Sequence, residues 1–326
     1  MIILSVGEGV WVLRGGILID DVYQLKHRDL RFREAGMSEV GFIGLGIMGS
    51  RMAANLLEGG VSLKVSNRSP EPVERLASAG AEAAASHLDC AAGVDVVFTM
   101  LSEPRVVAEV GLGERGFLQS MEKGSLWVDC TTVDPAFSER CHQEALERGV
   151  RFLDAPVAGT KPQAEEAELL FFVGGRDSTL EEVRPYLEMM GEKIIHVGSG
   201  GKGSALKMLV NSLLAQSMVA FSETVLLGEK LGLDQAFLLE LLPDLAVTAP
   251  FTKAKAGKIQ SGDYSVQFPL EWMHKDLDLV TKTAAGEGQP LFLANLVKEL
   301  FQAAKESGRA RSDFSAVHRY LEELNG

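Results

Sequence analysis

A glycine-rich turn near residue 45 constrains the fold of this chain more than any other feature. Gly44, Gly46 and Gly49 form the pattern G-x-G-x-x-G, which follows the apolar run EVGFIGL and precedes the helix-like segment SRMAANLLEGG. A strand, this turn and a helix, in that order, are the context in which the pattern binds a dinucleotide. The first glycine permits a tight turn, the second lets a pyrophosphate approach the backbone, and the third allows the helix to pack closely on the strand.

The helix after the turn adds an electrostatic reason for phosphate binding. Its first N–H groups have no partner within the helix, and its N-terminus carries partial positive charge. We therefore predict a dinucleotide site formed by the whole turn, which consists of Gly44, Leu45, Gly46, Ile47, Met48 and Gly49.

Apolar segments alternate with helical segments up to residue 198. Strands are predicted at residues 39–45, 63–66, 95–100, 126–129, 152–154 and 169–173, and a proline-bounded helix at 70–79. This alternation predicts a parallel, doubly wound sheet whose ligand-binding loops share one edge.

Beyond the glycine cluster GSGGKG the pattern becomes helical. Helices are predicted at residues 204–230, 234–243, 270–286 and 291–306. The expected fold is an α/β Rossmann-type doubly wound parallel sheet followed by an all-α C-terminal domain. The predicted divisions are an N-terminal extension at 1–38, a nucleotide-binding domain at 39–198 and a helical domain at 199–326.

The N-terminal extension does not match a targeting segment. Its apolar run MIILSVGEGVWVLRGGILI has no basic segment before it, and acidic residues follow at Asp20, Asp21, Asp29 and Glu34. The first property is wrong for a secretory signal and the second for a mitochondrial transit peptide. We interpret residues 1–36 as an appended or mis-started leader without a catalytic role.

Composition excludes several classes of protein. A formal net charge of −13 argues against a nucleic-acid partner, because binding along a phosphate backbone needs a basic stripe. The longest charge-free apolar stretch, residues 208–222, is shorter than the ~18 residues of a membrane span, so we expect a buried helix and no membrane. Cys90, Cys130 and Cys141 have neither C-x-x-C spacing nor a histidine pattern, which favours a reduced, cytoplasmic protein without a metal site.

The end of the second predicted strand distinguishes between the two nicotinamide dinucleotides. An NAD enzyme usually has Asp or Glu there to bind the ribose 2′-hydroxyl, whereas this chain has Asn67, Arg68 and Ser69. Arg68 can bind a 2′-phosphate through charge-assisted hydrogen bonds, and its two neighbours add neutral donors. NADPH is therefore the predicted cofactor, although a solvated surface role for Arg68 is the alternative.

Lys207 and Asn211 are candidates for the chemistry. They are four residues apart, so they share one face of the predicted helix, and their neighbours are apolar. Burial lowers the pKa of a lysine, which can then donate and recover a proton near neutrality. From the residues alone, a lysine that extends to solvent beside a helix-capping amide explains the pattern equally well.

Several segments after Met37 resemble the β-hydroxyacid dehydrogenases. The matching segments are GFIGLGIMGSRMAANLL, SNRSPE, VDCTTVDP, FLDAPVAGTKPQAEE, GKGSALKMLVNSLL, FPLEWMHKDLDL and DFSAV. The spacing G-x-x-x-K-x-x-x-N, here Gly203, Lys207 and Asn211, is specific when it accompanies the glycine pattern. Within the family, the chain is most similar to the glyoxylate/succinic semialdehyde reductases.

The resemblance implies a role for each matching residue. Lys207 would be the acid–base group, and Asn211 would bind substrate and orient the lysine. The other implied site residues are Thr132 near nicotinamide and substrate, Met100 and Leu101 against the cofactor, and Phe268, Lys275 and Asp276 closing the site, with Lys275 also at the cofactor.

The chain departs from the family pattern in the loop that binds the substrate carboxylate. The family has serine where this chain has Ala158, and glycine or serine where it has Thr160. Backbone N–H groups around Gly159 can still bind a carboxylate, and Thr160 can supply the hydroxyl. An uncompensated loss of one hydrogen bond to a charged group costs ~1.5–3 kcal/mol, so the departure bears on substrate identity rather than on reaction type.

The resemblance implies NADPH-dependent reduction of a small aldehyde or keto acid, such as glyoxylate or succinic semialdehyde, by a homodimer or homotetramer. An NAD(P)-dependent 3-hydroxyisobutyrate or 2-hydroxy-3-oxopropionate dehydrogenase would use the same residues. Imine reductases and a noncatalytic NADP-binding assembly module share the fold. The lysine is usually replaced in the first and lost in the second, and this chain retains it as Lys207.

Overall fold

The computed structural model of the protein describes residues 3–5, 10–12 and 39–324. The chain divides into two units, Met1–Ser38 and Glu39–Gly326. In the first unit, strands β1 (Ile3–Ser5) and β2 (Val10–Val12) pair antiparallel. The remainder of the predicted leader lies outside the described residues.

The first half of the second unit is built on one nine-stranded sheet. Its strands are β3 (Val40–Ile43), β4 (Leu63–Ser66), β5 (Glu82–Ala83), β6 (Val96–Thr99), β7 (Leu126–Asp129), β8 (Arg151–Asp154), β9 (Val157–Ala158), β10 (Leu169–Gly174) and β11 (Gly191–Gly198). Their order across the sheet is β11-β10-β8-β7-β6-β3-β4-β5, with β9 paired to β10. The chain therefore moves outward from β3 on both sides, which is the doubly wound arrangement.

Helices lie between these strands. They are α1 (Gly49–Glu58), α2 (Pro70–Ser78), α3 (His87–Ala91), α4 (Pro104–Val107), α5 (Pro135–Glu147), α6 (Lys161–Glu165) and α7 (Asp177–Met190), with a π-helical turn at Ala108–Leu112 and a 3₁₀ turn at Phe117–Gln119.

The sheet is parallel across six adjacent strands, in the order β5, β4, β3, β6, β7 and β8, which confirms the predicted fold class. Strand β10 departs from this parallel arrangement, since it pairs antiparallel with β8 and β9 and parallel with β11. The chain between β8 and β10 forms β9 and then the five-residue helix α6. Because β9 and β10 pair antiparallel, the chain reverses its direction between these two strands.

The central strands are buried along their whole length. Every residue of β3 (VGFI), β6 (VVFT) and β7 (LWVD) is buried. Continuous apolar runs of this kind are typical of parallel strands that are covered on both faces. Trp127 of β7 packs edge-on against Phe117 and Phe152, with ring centroids 5.0 and 4.9 Å apart, and these rings anchor one side of the sheet.

The second half is helical, as predicted, and is organised around one long helix. That helix is α8 (Lys202–Lys230), and it is followed by α9 (Gln235–Leu241), α10 (Thr252–Ser261), α11 (Leu270–Gly286), α12 (Phe292–Ala304) and α13 (Val317–Leu324), with 3₁₀ turns at Leu242–Asp244 and Phe314–Ala316 and a π-helical turn at Lys305–Arg309.

Helix α8 forms the centre of the helical half. It contacts α9, α11, α12 and α13, and also strands β8 to β11. Among the described residues it is the one helix long and apolar enough to cross a membrane, but half of its most apolar stretch is buried inside the protein. Core helices have these same properties. Because α8 touches both the sheet and the other helices, residues on it lie where the two halves meet.

Candidate active site

The glycine turn between β3 and α1 is tightly packed at its first and third glycines and open at its second. Gly44 has φ +100°, and a Cβ there would lie 2.4 Å from Met100 O. A Cβ on Gly49 would lie 2.0 Å from Gly44 O. Gly46 is exposed, and a Cβ there would meet no atom within 4 Å. The open position is the one at which a pyrophosphate approaches the backbone, so the turn fits a dinucleotide.

Asn67 ties the end of β4 to this turn. Leu45 N donates to Asn67 Oδ1 over 3.0 Å, and Asn67 Nδ2 donates to Ser69 O over 3.1 Å. Arg68 and Ser69 are exposed, and residues 66–69 contain no carboxylate. Asn67 therefore fixes the shape of the loop, while Arg68 presents a cation to solvent beside the turn.

A buried hydrogen-bond network lies where β6 and β7 end. Thr99 Oγ1 donates to Asp129 Oδ1 over 2.7 Å and accepts from Trp127 Nε1 over 2.8 Å. Thr131 N donates to the same Asp129 oxygen, and Leu101 N donates to Thr131 Oγ1 over 3.0 Å. Burial raises the pKa of Asp129 to about 6. This network fixes the loop after β6 through the bond from Leu101 N. It was not predicted from the sequence, where polar residues at the ends of two apolar strands were the only indication of it.

Five of the residues predicted for the catalytic site meet where α8 faces α11. Asn211 Nδ2 donates to Asp276 Oδ2 over 2.5 Å, and Lys275 Nζ lies 2.8 Å from Asp276 Oδ1. Lys275 Nζ also donates to Thr132 O over 2.8 Å. Lys207 is near enough for the charges of Asp276 and Lys275 to act on it. The site therefore combines the loop after β7 with two helices of the second half.

The environment of Lys207 changes its proton affinity. The residue is only 8% exposed, and burial lowers the pKa of its ammonium group to about 8. The Asp276 carboxylate acts in the opposite direction, and the Lys275 ammonium adds to the lowering. Such a lysine is mostly protonated at pH 7 and releases its proton more readily than an exposed lysine. Asn211 Oδ1 is buried and has no hydrogen-bond partner among the described residues, so it is free to accept from a ligand.

The predicted carboxylate loop follows β9. Ala158 is half-buried at the end of that strand, and Gly159 is exposed with φ +117°. Thr160 N and Oγ1 both donate to Gln163 Oε1, over 2.9 and 3.1 Å. The Thr160 hydroxyl is therefore engaged at the start of α6. Because β9 contacts α8, the loop lies beside the helix that carries Lys207.

Phe268 lies just before α11 and packs against the hydrophobic core of the helical half. Its ring centroid is 5.8 Å from that of Phe314, and Phe268 N donates to Asp313 Oδ2 over 3.2 Å. Asp313 is fully buried and pairs with Lys255 at 2.9 Å. This buried ion pair was not predicted from the sequence, and it holds Phe268 at the beginning of the helix that carries Asp276.

Comparison with known proteins identifies the family. The family described as the NAD binding domain of 6-phosphogluconate dehydrogenase matches residues 39–198. The family described as the NAD-binding of NADP-dependent 3-hydroxyisobutyrate dehydrogenase matches residues 201–321. The chain belongs to the β-hydroxyacid dehydrogenase family. The predicted resemblance is confirmed, and the chain is an NAD(P)-dependent oxidoreductase of the hydroxyacid dehydrogenase type.

Individual relatives match most of this β-hydroxyacid dehydrogenase. Glyoxylate/succinic semialdehyde reductase 2, chloroplastic, from Arabidopsis thaliana is 35% identical over 87% of this chain and 79% of its own length. The NAD-dependent L-serine dehydrogenase of Pseudomonas aeruginosa is 35% identical over 89% of this chain and 100% of its own. A structure of Mycobacterium tuberculosis 3-hydroxyisobutyrate dehydrogenase with L-serine is 31% identical and covers 87% of this chain and 99% of its own, with a TM-score of 0.79.

The cysteines of this β-hydroxyacid dehydrogenase lie in the core. All three are free and buried, and burial raises the pKa of each thiol. Thiols in such surroundings are inert packing groups rather than nucleophiles. Within residues 39–324, no group of three or more His, Cys, Asp or Glu residues is arranged to hold a metal ion.

Proposed function

We propose that this β-hydroxyacid dehydrogenase uses NADPH to reduce a small aldehyde or keto acid, of the glyoxylate or succinic semialdehyde type, to the hydroxy acid. The observation that carries this proposal is the buried Lys207 ammonium, whose pKa burial lowers to about 8, beside the hydrogen-bonded pair Asn211 and Asp276. The Arabidopsis relative, named a glyoxylate/succinic semialdehyde reductase, supports the substrate class.

The cofactor is held by the glycine turn at residues 44–49 and by the loops after β4, β6 and β7. When bound, NADPH supplies the hydride that reduces the carbonyl carbon. Preference for the phosphorylated dinucleotide is supported by the exposed Arg68 guanidinium and by the lack of a carboxylate in residues 66–69. A carboxylate there would repel the 2′-phosphate, whereas a guanidinium binds it with a matching fork of donors.

Lys207 supplies the proton. Negative charge develops on the carbonyl oxygen during reduction, and an adjacent ammonium group both stabilises that charge and transfers its proton. The low exposure of Lys207 keeps water from screening this interaction. The Asp276 carboxylate accepts a hydrogen bond from Asn211 Nδ2 and so orients the amide. Asn211 Oδ1 is then left to accept a hydrogen bond from the Lys207 ammonium or from the product hydroxyl.

The loop at residues 158–160 binds the substrate carboxylate. Gly159 is exposed in a left-handed turn, and β9 brings the loop to α8. Backbone N–H groups in such a turn bind anions without a charged side chain. The Ala158 side chain adds no hydrogen bond, so the backbone contributes most of the recognition.

A second candidate function is that of a 3-hydroxyisobutyrate or 2-hydroxy-3-oxopropionate dehydrogenase, which oxidises a small hydroxy acid with the same residues. It is favoured by the similarity to a 3-hydroxyisobutyrate dehydrogenase structure that contains L-serine and to an NAD-dependent L-serine dehydrogenase. In this direction neutral Lys207 accepts the proton of the hydroxyl, so the rate would rise as pH passes through about 8. Initial rates with both cofactors, in both directions, decide between the two functions.

Replacement of Lys207 by alanine tests the proposed chemistry. Turnover should fall roughly 100- to 10,000-fold, as expected when a general acid is lost, whereas NADPH binding measured by nucleotide fluorescence should persist. Lys202→Ala, at an exposed position at the start of the same helix, is the matched control and should keep its activity. Turnover of Lys207→Ala within about tenfold of the wild type contradicts the assignment.

We further propose a homodimer or homotetramer that assembles through the helical half. Leu209, Leu213 and Leu227 of α8 are 60, 67 and 61% exposed, and Phe292 and Leu296 of α12 are 86 and 61% exposed. Large exposed apolar surfaces mark interaction sites, and most soluble oligomers consist of identical chains. Light scattering of wild type and Leu213→Glu should show a lower mass for the variant; equal masses would contradict an interface on this face.

A further inference from the structure

Asp154 is the last residue of β8 and has no role in the proposed reaction as described above. It is 1% exposed, and both of its carboxylate oxygens contact the beginning of α8. Oδ1 accepts from Gly201 N and Oδ2 accepts from Ser204 N, each over 2.8 Å. A side chain of the sheet therefore caps the helix that carries Lys207.

Two glycines leave room for this carboxylate. A Cβ on Gly174 would lie 2.4 Å from Asp154 Oδ1, and a Cβ on Gly203 would lie 2.9 Å from Asp154 Oδ2 and 2.3 Å from Phe172 O. A side chain at either position would displace the carboxylate or the helix. The first turn of α8 is therefore held in close contact with β8 and β10.

The capped turn is directly connected to Lys207. Lys207 follows Ser204 by three residues, which is less than one helical turn and about 4.5 Å along the axis. A shift of the first turn therefore moves the lysine with it. Fraying of that turn would also admit water to the ammonium group, whose lowered pKa depends on burial.

We propose that Asp154 is a positioning residue, whose carboxylate pins the first turn of α8 to the sheet and so holds the Lys207 ammonium in its buried place. This role rests on the proposed function, in which Lys207 transfers the proton. An ionised carboxylate suits the position, because it accepts at both oxygens and its charge is favourable at a helix N-terminus.

Two features of the surroundings of Asp154 shift the pKa of its carboxyl group in opposite directions. Burial raises the pKa of its carboxyl, and the N–H groups of Ser204 and Gly201 lower it. Asp129 on β7 is in register with Asp154 and is the other buried acid at this sheet edge. Asp129 accepts from Thr99 at the end of β6 and from Thr131 N in the loop after β7 rather than from α8, so the two acids hold different parts of the site.

Asp154→Asn tests this role while nearly preserving size. The amide replaces one acceptor oxygen with a donor that faces a backbone N–H. We expect kcat to fall roughly 10- to 100-fold, as for a small misplacement of a reacting group, with KM values within about threefold of wild type. The pKa of Lys207 in the kcat profile should rise from about 8 toward the ordinary value of 10.5 as the ammonium becomes hydrated. Hydrogen exchange of the amides in residues 202–207 should become faster.

Two further variants complete the test. Gly203→Ala disturbs the same contact from the helix without changing the Asp154 side chain, and it should change kcat and the pH profile in the same direction. Asp234→Asn is the matched control, because Asp234 caps α9 by accepting from Phe237 N over 2.9 Å. It removes the charge of a capping aspartate from a helix that lacks proposed site residues and should leave kcat and the profile unchanged.

The outcomes separate this role from the proposed function. A wild-type kcat and pH profile in Asp154→Asn, even with a lower melting temperature, overturns the positioning role and leaves only a structural one. If Asp154→Asn does not fold, the kcat and hydrogen exchange of Gly203→Ala decide by the same criteria. Lys207→Ala is assayed in parallel. Retained turnover in Lys207→Ala refutes the proposed function. Loss of turnover in Lys207→Ala, together with full activity in Asp154→Asn and Gly203→Ala, refutes only the role of Asp154.

Discussion

Asn211 on α8 donates a 2.5 Å hydrogen bond to Asp276 on α11, and the other oxygen of the same carboxylate lies 2.8 Å from Lys275 Nζ. The family resemblance implied that Asp276 closes the site. In the structure both of its oxygens contact protein groups, and its charge raises the pKa of Lys207 against the effect of burial. One carboxylate therefore orients the amide and adjusts the proton affinity of the proposed acid.

Removal of the Asp276 charge should make Lys207 a stronger acid. In Asp276→Asn the pKa of Lys207 should fall below about 8, because burial and the Lys275 ammonium then act without opposition. The alkaline limb of the kcat/KM profile for reduction should move to lower pH, and kcat at pH 7 should decrease. Asp278→Asn, on the same helix and paired with Lys282, should leave the profile in place. An unshifted limb in Asp276→Asn would contradict the electrostatic role.

Arg68 should determine the choice between NADPH and NADH. Arg68→Ala removes the charge-assisted hydrogen bonds to the 2′-phosphate, and each bond of this kind contributes about 1.5–3 kcal/mol. KM for NADPH should therefore rise roughly 10- to 100-fold, while KM for NADH stays the same. Arg75→Ala on α2, whose arginine is exposed and pairs with Glu71, is the control. An equal effect of Arg68→Ala on both cofactors would show that Arg68 does not bind the phosphate.

The sequence predicted a helix or strand correctly where the pattern of its apolar residues matched their burial in the folded protein. The predicted ranges 63–66, 126–129 and 270–286 coincide with β4, β7 and α11, since each has a clear apolar period or a continuous buried run. Helix α10 was missed because its sequence TKAKAGKIQS has no strong apolar stripe; its buried residues include Lys255, which is satisfied by Asp313 from 58 positions away. Only tertiary contact makes a lysine compatible with that core.

The sequence pointed to residues that the structure brings together, but it did not indicate the hydrogen bonds between them. Lys207 and Asn211 stood out as polar groups on an apolar helix, and the family resemblance supplied their roles. The partner Asp276 lies 65 residues from Asn211, and Asp154 lies 50 residues from Ser204. A carboxylate at the end of a buried strand is the same in sequence whether it binds a ligand, a loop or a helix end. Its partner is fixed only by packing.

The alanine at position 158 should weaken recognition of the substrate carboxylate. Ala158→Ser places a hydroxyl on the loop beside α8, and one new hydrogen bond to a charged group contributes about 1.5 kcal/mol or more. KM for an aldehyde acid should therefore fall about tenfold, while kcat and KM for NADPH stay constant. An aldehyde of equal length without a carboxylate is the control and should show no change. The same decrease for both substrates would mean that the loop does not bind the carboxylate.

His318 should make the helical half sensitive to acid. It is 1% exposed, and neither ring nitrogen has a hydrogen-bond partner among the described residues. Burial lowers the pKa of the ring from 6.5 to about 4. Below pH 6.5 the histidine ring binds a proton in the unfolded chain but not in the folded chain. The free energy of unfolding is therefore highest above pH 6.5 and falls by about 3 kcal/mol as the pH decreases to 4. In urea unfolding at pH 7 and 4.5, His318→Phe should lose less stability than wild type, and the control His87→Phe should lose as much. Equal losses in His318→Phe and wild type would contradict a buried neutral ring.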